Sequence, residues 1–269
     1  MSVLRDDSIP MKPRIDASWY RRWRSVVDKT SRIANESDLQ GLLTGLCAPT
    51  APRMVAFVNA HAMNSLAASA AFYDAIRSAD VILRDGSGMA ALFKLLAQSP
   101  GLNLNGTDLI PAIIARFNGR KIALLGTRDP YLRRARAKIS LLLAPQSQLI
   151  AANGFLTAES YVAVASENRP DLIVLGMGMP KQEAVAVALR SALSFPCLIV
   201  CGGAILDFLG ARTPRAPLLM RKVGLEWLYR LALEPRRLFA RYVLGNPLFL
   251  VRALRFARIS SARTSSGSG

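Results

Sequence analysis

Short apolar runs alternate with longer amphipathic stretches along residues 51–207. The runs lack a polar residue at every second position, which indicates strands buried on both faces, as in a parallel sheet. They predict strands at Met54–Asn59, Val81–Leu83, Lys121–Gly126, Leu149–Ala152, Asp171–Gly176 and Cys197–Gly202. The stretches between them predict helices at Ala62–Ser78, Gly88–Leu96, Asp108–Phe117, Pro130–Leu143, Ala158–Asn168 and Pro180–Leu193. This alternation predicts an α/β fold with a doubly wound, mostly parallel sheet.

The last part of the chain follows a different pattern. After Asp207 the sequence is helical and interrupted by prolines, which predicts helices at Pro217–Leu233, Pro235–Leu244 and Pro247–Ile259. Residues 208–269 contain twelve Lys and Arg residues and only two acidic ones, in a chain of 269 residues whose net charge is +17. We therefore predict four segments. They are an N-terminal helical segment packing on the core (1–50), the core (51–207), a helical, cationic C-terminal appendage (208–263) and a disordered Ser/Gly-rich tail (264–269).

The composition narrows the class of protein. Hydrophobic residues make up 51% of the chain and charged residues 20%, so a sizeable core is available and wholesale disorder is excluded. Three cysteines cannot form a disulfide framework, which fits a reducing cytoplasmic compartment. A single histidine, His61, argues against a zinc site and against Ser-His-Asp catalysis. Because no signal peptide or spanning apolar stretch is found, we expect a protein that is soluble or lies on a membrane.

The excess of positive charge implies an anionic partner. Nucleic acid, a phosphorylated small molecule and a membrane surface all fit the net charge. In the appendage, aromatic residues interleave the arginines, and amphipathic helices of that composition suit an anionic bilayer. Arginine forks also suit a diphosphate. The candidate arginines for diphosphate or lipid binding are Arg212, Arg215, Arg221, Arg230, Arg237 and Arg241.

A glycine-rich turn, Gly176-Met-Gly178-Met-Pro180, follows one predicted strand and opens a helix. Glycines there let backbone N–H groups approach a phosphate at the helix N-terminus. Lys181 stands where the dinucleotide fingerprint has its third glycine, which disfavours a nicotinamide-dependent oxidoreductase as an alternative. A tight strand-to-helix turn without a ligand is the other interpretation.

Polar residues also gather at the carboxyl ends of the other strands, where doubly wound sheets bind their ligands. Asp85 directly follows a strand, and it is either a general base or the N-cap of the next helix. For Thr107 and Asp108, a helix cap is the favoured interpretation. The candidate donor- or substrate-binding residues are Asn59, His61, Gly86, Thr107, Asp108, Gly126, Thr127, Gly176, Gly178, Lys181, Gln182, Glu183, Gly203 and Asp207.

Many of these residues belong to ordered motifs. The motifs are Asn59, Asp85-Gly86, Gly106-Thr107-Asp108, Gly176–Glu183, Gly202-Gly203, Asp207-Phe208, Arg215-Ala216-Pro217, Gly224–Arg230, Glu234–Arg237 and Arg241-Tyr242. In this order and at these intervals, over residues 53–250, the chain resembles the WecG/TagA/CpsF family of bacterial glycosyltransferases. Within that family it looks most like the GumM-type glucosyltransferases of exopolysaccharide assembly, through Asn59–Asn64 and Gly176–Glu183.

The resemblance implies a Rossmann-like core that takes a UDP-sugar donor and a polyprenyl-diphosphate-linked sugar acceptor. It implies an inverting transfer that needs no bound metal and no cofactor. It also implies a peripheral protein on the cytoplasmic face of the bacterial inner membrane, with the appendage docking at the membrane and closing over the site. Asp85 matches the proposed catalytic base of the family, and Asn59 and Gln182 match positions that line the sugar pocket. Appendage arginines, first among them Arg215 and Arg221, match the group that holds the diphosphate.

Two departures from the family pattern bear on the donor. Members specific for N-acetylmannosamine usually have Thr where this chain has Phe57, and Arg just before Gly-Thr-Asp, where this chain has Leu102–Asn105. We therefore expect transfer of glucose from UDP-glucose to a lipid-linked sugar, with a β-1,4 linkage to glucose as the first expectation. The alternative is UDP-N-acetylmannosamine or its uronic acid, in the synthesis of a teichoic-acid-like or enterobacterial-antigen-like glycan.

A nucleic-acid-binding protein is the distant alternative. The net charge permits it, but the helices around the arginines are apolar and no known nucleic-acid-binding module is recognised. We therefore expect no nucleic-acid partner. The oligomeric state is left open, with a homo-oligomer as one alternative.

Overall fold

A computed structural model describes residues 18–265, and its centre is a sheet of seven parallel strands. The strands are β1 (Thr30–Ser31), β2 (Pro52–Val58), β3 (Val81–Arg84), β4 (Lys121–Gly126), β5 (Gln148–Ala152), β6 (Leu172–Gly176) and β7 (Cys197–Cys201). Their order across the sheet is β1-β3-β2-β7-β6-β4-β5, and every pairing is parallel. The predicted α/β class, with a Rossmann-like parallel sheet, is therefore confirmed.

Helices cover both faces of the sheet. Those that precede residue 205 are α1 (Ser18–Lys29), α2 (Glu36–Leu46), α3 (Ala60–Ala68), α4 (Ala70–Ser78), α5 (Gly86–Leu95), α6 (Gly106–Arg116), α7 (Tyr131–Leu142), α8 (Ala158–Asn168) and α9 (Lys181–Ala192). They are followed by α10 (Ile205–Leu209), α11 (Leu218–Lys222), α12 (Glu226–Leu233), α13 (Pro235–Phe239), a π-helical turn (Ala240–Leu244) and α14 (Gly245–Ser265).

Two predicted helices are each divided into two. The prediction of one helix over Ala62–Ser78 is wrong, because Ser69 is extended and its hydroxyl accepts the Phe72 N–H at 3.2 Å, which caps α4. The prediction of one helix over Pro217–Leu233 is also wrong. Gly224 interrupts it with a φ of +77°, a left-handed conformation that favours glycine.

The strands bury alternate side chains in two separate apolar layers. In β2, Met54 and Ala56 belong to the layer shared with α1, α3, α4, α5, α9 and α14. Val55 and Phe57, which alternate with them along β2, belong to the other layer, which is shared with α2, α6, α7 and α10. Both faces of the sheet are thus covered, which explains why the strand sequences are continuously hydrophobic.

The two ends of the described chain pack together. Trp23 of α1 is completely buried, and its ring lies 5.5 Å from that of Phe249 and 5.7 Å from that of Phe256 in α14. Its indole Nε1 donates to the Met63 carbonyl oxygen at 2.8 Å. Both phenylalanines are buried in the same apolar layer as the sheet. The first and last helices therefore complete one core.

The predicted tail only partly overlaps the described residues. Helix α14 extends to Ser265, inside the predicted tail, while residues 266–269 lie outside the described residues, as do 1–17. Between residues 18 and 265, no helix is both long enough and apolar enough to cross a bilayer.

Candidate active site

Two clefts meet at the carboxyl ends of the strands. The smaller has a volume of about 260 Å³ and lies above β4, β6 and β7, while the larger, about 760 Å³, lies between α5 and the appendage helices. Some side chains line both clefts, which makes them parts of one site. The shared residues are Asn59, Asp85, Thr107, Arg230 and Arg241.

Backbone rather than side chains forms much of the smaller cleft. Gly176, Gly178 and Gly203 line it at the ends of β6 and β7. Gly178 and Gly203 have φ values of +78° and +61°, and glycine adopts this conformation without strain. A Cβ at Gly176 would lie 2.6 Å from the Leu206 side chain, so the close approach also requires glycine. Glycine turns before a helix can present N–H groups to a phosphate.

Polar and aromatic side chains complete the smaller cleft. The Thr127 hydroxyl and Asp207 carboxylate are hydrogen-bonded to each other, and Arg212 forms an ion pair with Asp207 at 3.3 Å. Phe155 lies at the edge of the cleft with 74% of its surface exposed. A flat exposed ring beside a polar, glycine-lined cleft suits a nucleotide base.

The larger cleft is bounded on one side by the appendage. Its lining there combines apolar side chains with the charged side chains of Arg221, Glu226, Arg230 and Arg241. The apolar ones are Trp227, Leu228, Leu231, Val243, Phe249 and Leu250. On the opposite side lie the turn after β3 and the amides of Asn103 and Asn105. A cleft with both apolar and polar parts suits a ligand with a hydrocarbon part and a sugar part.

Asp85 lies where the two clefts meet. It occupies the N-cap position of α5, but its side chain makes no capping hydrogen bond, so the carboxylate is not used by the helix. Asn59 Nδ2 donates to Asp85 Oδ2 at 3.5 Å. Burial raises the pKa of Asp85 above its ordinary value, and the Asn59 hydrogen bond and the charge of Arg241 offset that rise only in part. A carboxylate with a raised pKa is a better proton acceptor at neutral pH.

The turn that carries Asp85 is held by residues that the sequence analysis did not select. Arg84 is buried, and its guanidinium donates to the carbonyl oxygens of Pro100 at 2.6 Å and Gly101 at 2.7 Å. On the other side of Asp85, the Gly86 N–H donates to Asn103 Oδ1 at 3.0 Å. These bonds tie the β3–α5 turn to the 100–103 loop and so fix Asp85.

Among the six candidate arginines, Arg230 and Arg241 are the ones that line both clefts. Within residues 18–265 their Nε atoms are buried and have no hydrogen-bond partner, which is also true of the Nε atoms of Arg215 and Arg221. Burial also lowers the pKa of the Arg241 guanidinium. Because a buried donor without a partner is costly, these two side chains are suited to receive an anionic ligand.

The other four candidate arginines line one cleft or neither. Arg221 lines only the larger cleft, whereas Arg212 and Arg237 line only the smaller one. Arg215 lines neither, and forms an ion pair with Asp108 at 2.6 Å. The preference of the sequence analysis for Arg215 and Arg221 thus differs from the placement in the structure, which puts Arg230 and Arg241 at the junction.

Most of the other sequence-predicted residues come together in these clefts. The smaller cleft contains Asn59, Thr107, Thr127, Gly176, Gly178, Gln182, Gly203 and Asp207, and the larger contains His61 and Gly86. Burial and the charge of Arg241 lower the pKa of His61 to about 4, so the imidazole is neutral at neutral pH. It can therefore accept or donate a hydrogen bond without adding charge.

Asp108, Gly126, Lys181 and Glu183 line neither cleft. The Lys181 ammonium donates to the carbonyl oxygens of Gly154 and Leu156, both at 2.9 Å, and so supports the loop after β5. Glu183 has no exposed surface. Asp108 is not the cap of α6, and neither is Thr107: the cap is Asn105, whose Oδ1 accepts the Asp108 N–H at 3.0 Å.

Comparison with known proteins shows the family of the chain. The profile of the glycosyl transferase WecG/TagA/CpsF family matches residues 30–263, which is most of the chain. The chain belongs to the WecG/TagA/CpsF family. It is therefore a glycosyltransferase, as the motifs predicted, and neither a nucleic-acid-binding protein nor an oxidoreductase is supported. The likeness to GumM-type members stays a prediction.

Curated relatives in the WecG/TagA/CpsF family include proteins of several Staphylococcus aureus strains. Those of strains NCTC 8325 / PS 47, COL and MRSA252 are each 27% identical over 184 residues, covering 67% of this chain and 72% of the relative. They are named N-acetylglucosaminyldiphosphoundecaprenol N-acetyl-beta-D-mannosaminyltransferases.

Glu226 is a further charged residue of the larger cleft that the sequence analysis did not select. It begins α12 and is, with Asp85, one of two acidic residues that line the larger cleft. Burial raises its pKa, and the negative charge of Asp85 adds to that rise. Within the described residues its carboxylate makes no hydrogen bond or ion pair. The signal in the sequence was its isolation among basic residues.

Proposed function

We propose that this protein transfers a sugar from a UDP-sugar to a sugar carried on a polyprenyl diphosphate, with Asp85 as the catalytic base. The observation that carries the proposal is the position of Asp85 between a small polar cleft and a large, partly apolar one. A transferase needs the donor and acceptor on opposite sides of the reacting atoms. The smaller cleft takes the UDP-sugar, and the larger takes the lipid-linked acceptor.

In this reaction Asp85 removes the proton from the attacking acceptor hydroxyl. The hydroxyl oxygen forms a bond to the anomeric carbon of the donor, and the bond from that carbon to the diphosphate oxygen breaks. Attack from the face opposite to UDP inverts the configuration. The leaving UDP gains negative charge, which Arg230 and Arg241 stabilise through Nε groups that are otherwise unpartnered. No step calls for a bound metal.

The acceptor class rests on the larger cleft and on the relatives. The Staphylococcus aureus proteins are named for an acceptor sugar on a diphosphoundecaprenol. The wall formed by Phe249, Leu250 and Val243 gives the isoprenoid an apolar surface, while Asn103 and Asn105 face the sugar. Arg221 adds a cation to this cleft for the lipid diphosphate.

The donor sugar has two candidates. The names of the relatives favour N-acetylmannosamine, and we propose it first. Glucose is the second candidate, because Phe57 lines the smaller cleft where N-acetylmannosamine-specific members usually have Thr. A phenyl ring there offers no hydrogen bond to an N-acetyl group and takes up more space than a threonine.

The appendage is proposed to dock on an anionic membrane at the cytoplasmic face. It exposes large apolar side chains, including Leu218, Leu219, Val223, Phe239 and Leu244, each with more than half of its surface accessible. Apolar residues interspersed with arginines are typical of helices that lie in the headgroup region of anionic bilayers. Docking there would bring the larger cleft next to the lipid-linked acceptor.

The transfer assay uses UDP-N-acetylmannosamine and UDP-glucose, each with polyprenyl-diphosphate-linked N-acetylglucosamine or glucose in vesicles. We expect transfer from one donor, insensitive to EDTA and lost in Asp85→Asn. Transfer of glucose alone would identify glucose, and not N-acetylmannosamine, as the donor sugar. No transfer from either donor, or a fully active Asp85→Asn enzyme, would contradict the proposal.

Membrane docking is tested by sedimentation with vesicles that contain anionic lipid. We expect a Leu218→Ser/Leu219→Ser variant to bind much less than wild type. The matched control is Leu141→Ser/Leu142→Ser, because those leucines are equally exposed but lie on α7. Equal loss in both variants, or no loss in either, would argue against docking through the appendage.

A further inference from the structure

A chain of hydrogen bonds runs from a buried carboxylate to the wall of the smaller cleft. Gln182 Nε2 donates to Glu183 Oε1 at 2.8 Å, and the Gly203 N–H donates to Gln182 Oε1 at 2.8 Å. Gln182 is 1% exposed and Glu183 is fully buried. Gly203 follows β7 and lines the smaller cleft. The two side chains at the start of α9 are thus linked to the turn that faces the donor.

The carboxylate decides which way the Gln182 amide points. Glu183 Oε1 is the acceptor of this hydrogen bond, so the amide must turn its NH₂ group towards Glu183. Its oxygen then faces the Gly203 N–H. With the amide reversed, the NH₂ group would face another donor, and two bonds would be lost at once. Glu183 therefore selects the orientation in which the Gly202–Gly203 turn is held.

Apart from the Gln182 amide, the described surroundings of Glu183 do not stabilise a carboxylate. Among residues 18–265, its buried Oε2 atom finds no hydrogen-bond partner. The residues around it belong to the apolar layer, and Cys201 is among the groups that interact with its charge. A partly unpartnered carboxylate in such a place lowers the stability of the fold. An apolar side chain of similar size would pack there without that cost.

We propose that Glu183 is a positioning residue of the donor site, which fixes the Gln182 amide and, through it, the Gly202–Gly203 turn. Glu183 touches no substrate itself. The proposal rests on the proposed function only in taking the smaller cleft as the site of UDP. It replaces the direct donor contact that the motif suggested for Glu183, since no part of its surface reaches the cleft.

Hydrogen exchange of the full chain, read by mass spectrometry, tests the positioning without any ligand. We expect Glu183→Leu to speed exchange at Gly203 by about tenfold while the amides of β6 and β7 stay protected. Glu183→Gln retains an acceptor for Gln182 and should stay within about threefold of wild type. The control is Glu167→Leu, on the exposed face of α8. Unchanged exchange at Gly203 in Glu183→Leu, or an equal increase throughout the sheet, would overturn the proposal.

Calorimetric titration with UDP tests the consequence for the donor. We expect Glu183→Leu to bind UDP about tenfold more weakly, although its melting temperature is not lowered, and Glu183→Gln to bind as wild type does. Equal UDP affinity in wild type and Glu183→Leu would overturn the role in the donor site. If the wild type binds no UDP while Glu183→Leu speeds hydrogen exchange at Gly203 as expected, the proposed function is refuted. The positioning of the turn by Glu183 would then still stand.

Discussion

The burial of Glu183 makes a quantitative prediction about stability and pH. Burial raises the pKa of Glu183 from 4.5 to about 7. The folded protein then holds this proton more tightly than the unfolded chain, so the destabilisation grows as the pH rises from 4.5 and is complete above 7. The two pKa values correspond to about 3 kcal/mol of destabilisation at pH 8 and to less than about 1 kcal/mol at pH 5.

Glu183→Gln removes the charge and keeps the shape of the side chain. We expect it to raise the free energy of unfolding, relative to wild type, by about 2 kcal/mol more at pH 8 than at pH 5. Urea unfolding followed by tryptophan fluorescence measures this, since Trp23 is completely buried in the fold. Glu167→Gln, on the exposed face of α8, should show no such dependence. The same change at both pH values, or a larger gain at pH 5, would refute the reasoning.

The remaining predictions concern the reaction. Asp85→Asn should lower kcat by about 10²–10⁴-fold without weakening UDP binding, and the wild-type kcat/KM should fall as the pH drops through the raised pKa of Asp85. A wild-type kcat/KM that stays constant as the pH drops would contradict the role of Asp85 as the base. Arg241→Ala should lower kcat by about 10²–10³-fold, whereas Arg236→Ala, exposed and outside both clefts, should stay within about twofold. Similar losses in both would mean that overall charge matters rather than position. Glu226→Gln should raise the KM of the acceptor by about tenfold and leave the KM of the donor unchanged, since Glu226 lines only the larger cleft. A change in the KM of the donor instead would contradict the assignment of Glu226 to the acceptor cleft.

The sequence predicted the sheet well because its strands are buried on both faces. Continuous apolar runs such as Cys197–Cys201, each separated from the next by a helical stretch, are typical of the strands of a parallel sheet. The strand Thr30–Ser31 was missed, since it is two residues long, is not apolar and is defined by its pairing with β3. The break at Ser69 was missed because the apolar pattern continues across it.

The site was predictable where it depends on strand ends, and less so where it depends on the appendage. Parallel strands bring their carboxyl ends to one edge, so Asn59 and Asp85 could be expected to lie together. Which arginine faces Asp85 depends on how α11 to α14 pack, and the sequence does not show this. Arg241 lies in the π-helical turn, where the extra residue changes the direction of the side chains that follow. An α-helical period therefore does not predict its direction.

The packing of α1 against α14 also determines when the protein can become complete during its synthesis. Tyr20 and Ser260 are hydrogen-bonded at 3.2 Å although 240 positions separate them. Phe249, which lines the larger cleft, is synthesised long after Trp23, against which it packs. The nascent chain therefore carries an uncovered apolar face on α1 until α14 has been made. The larger cleft therefore lacks part of its wall until α14 has been synthesised.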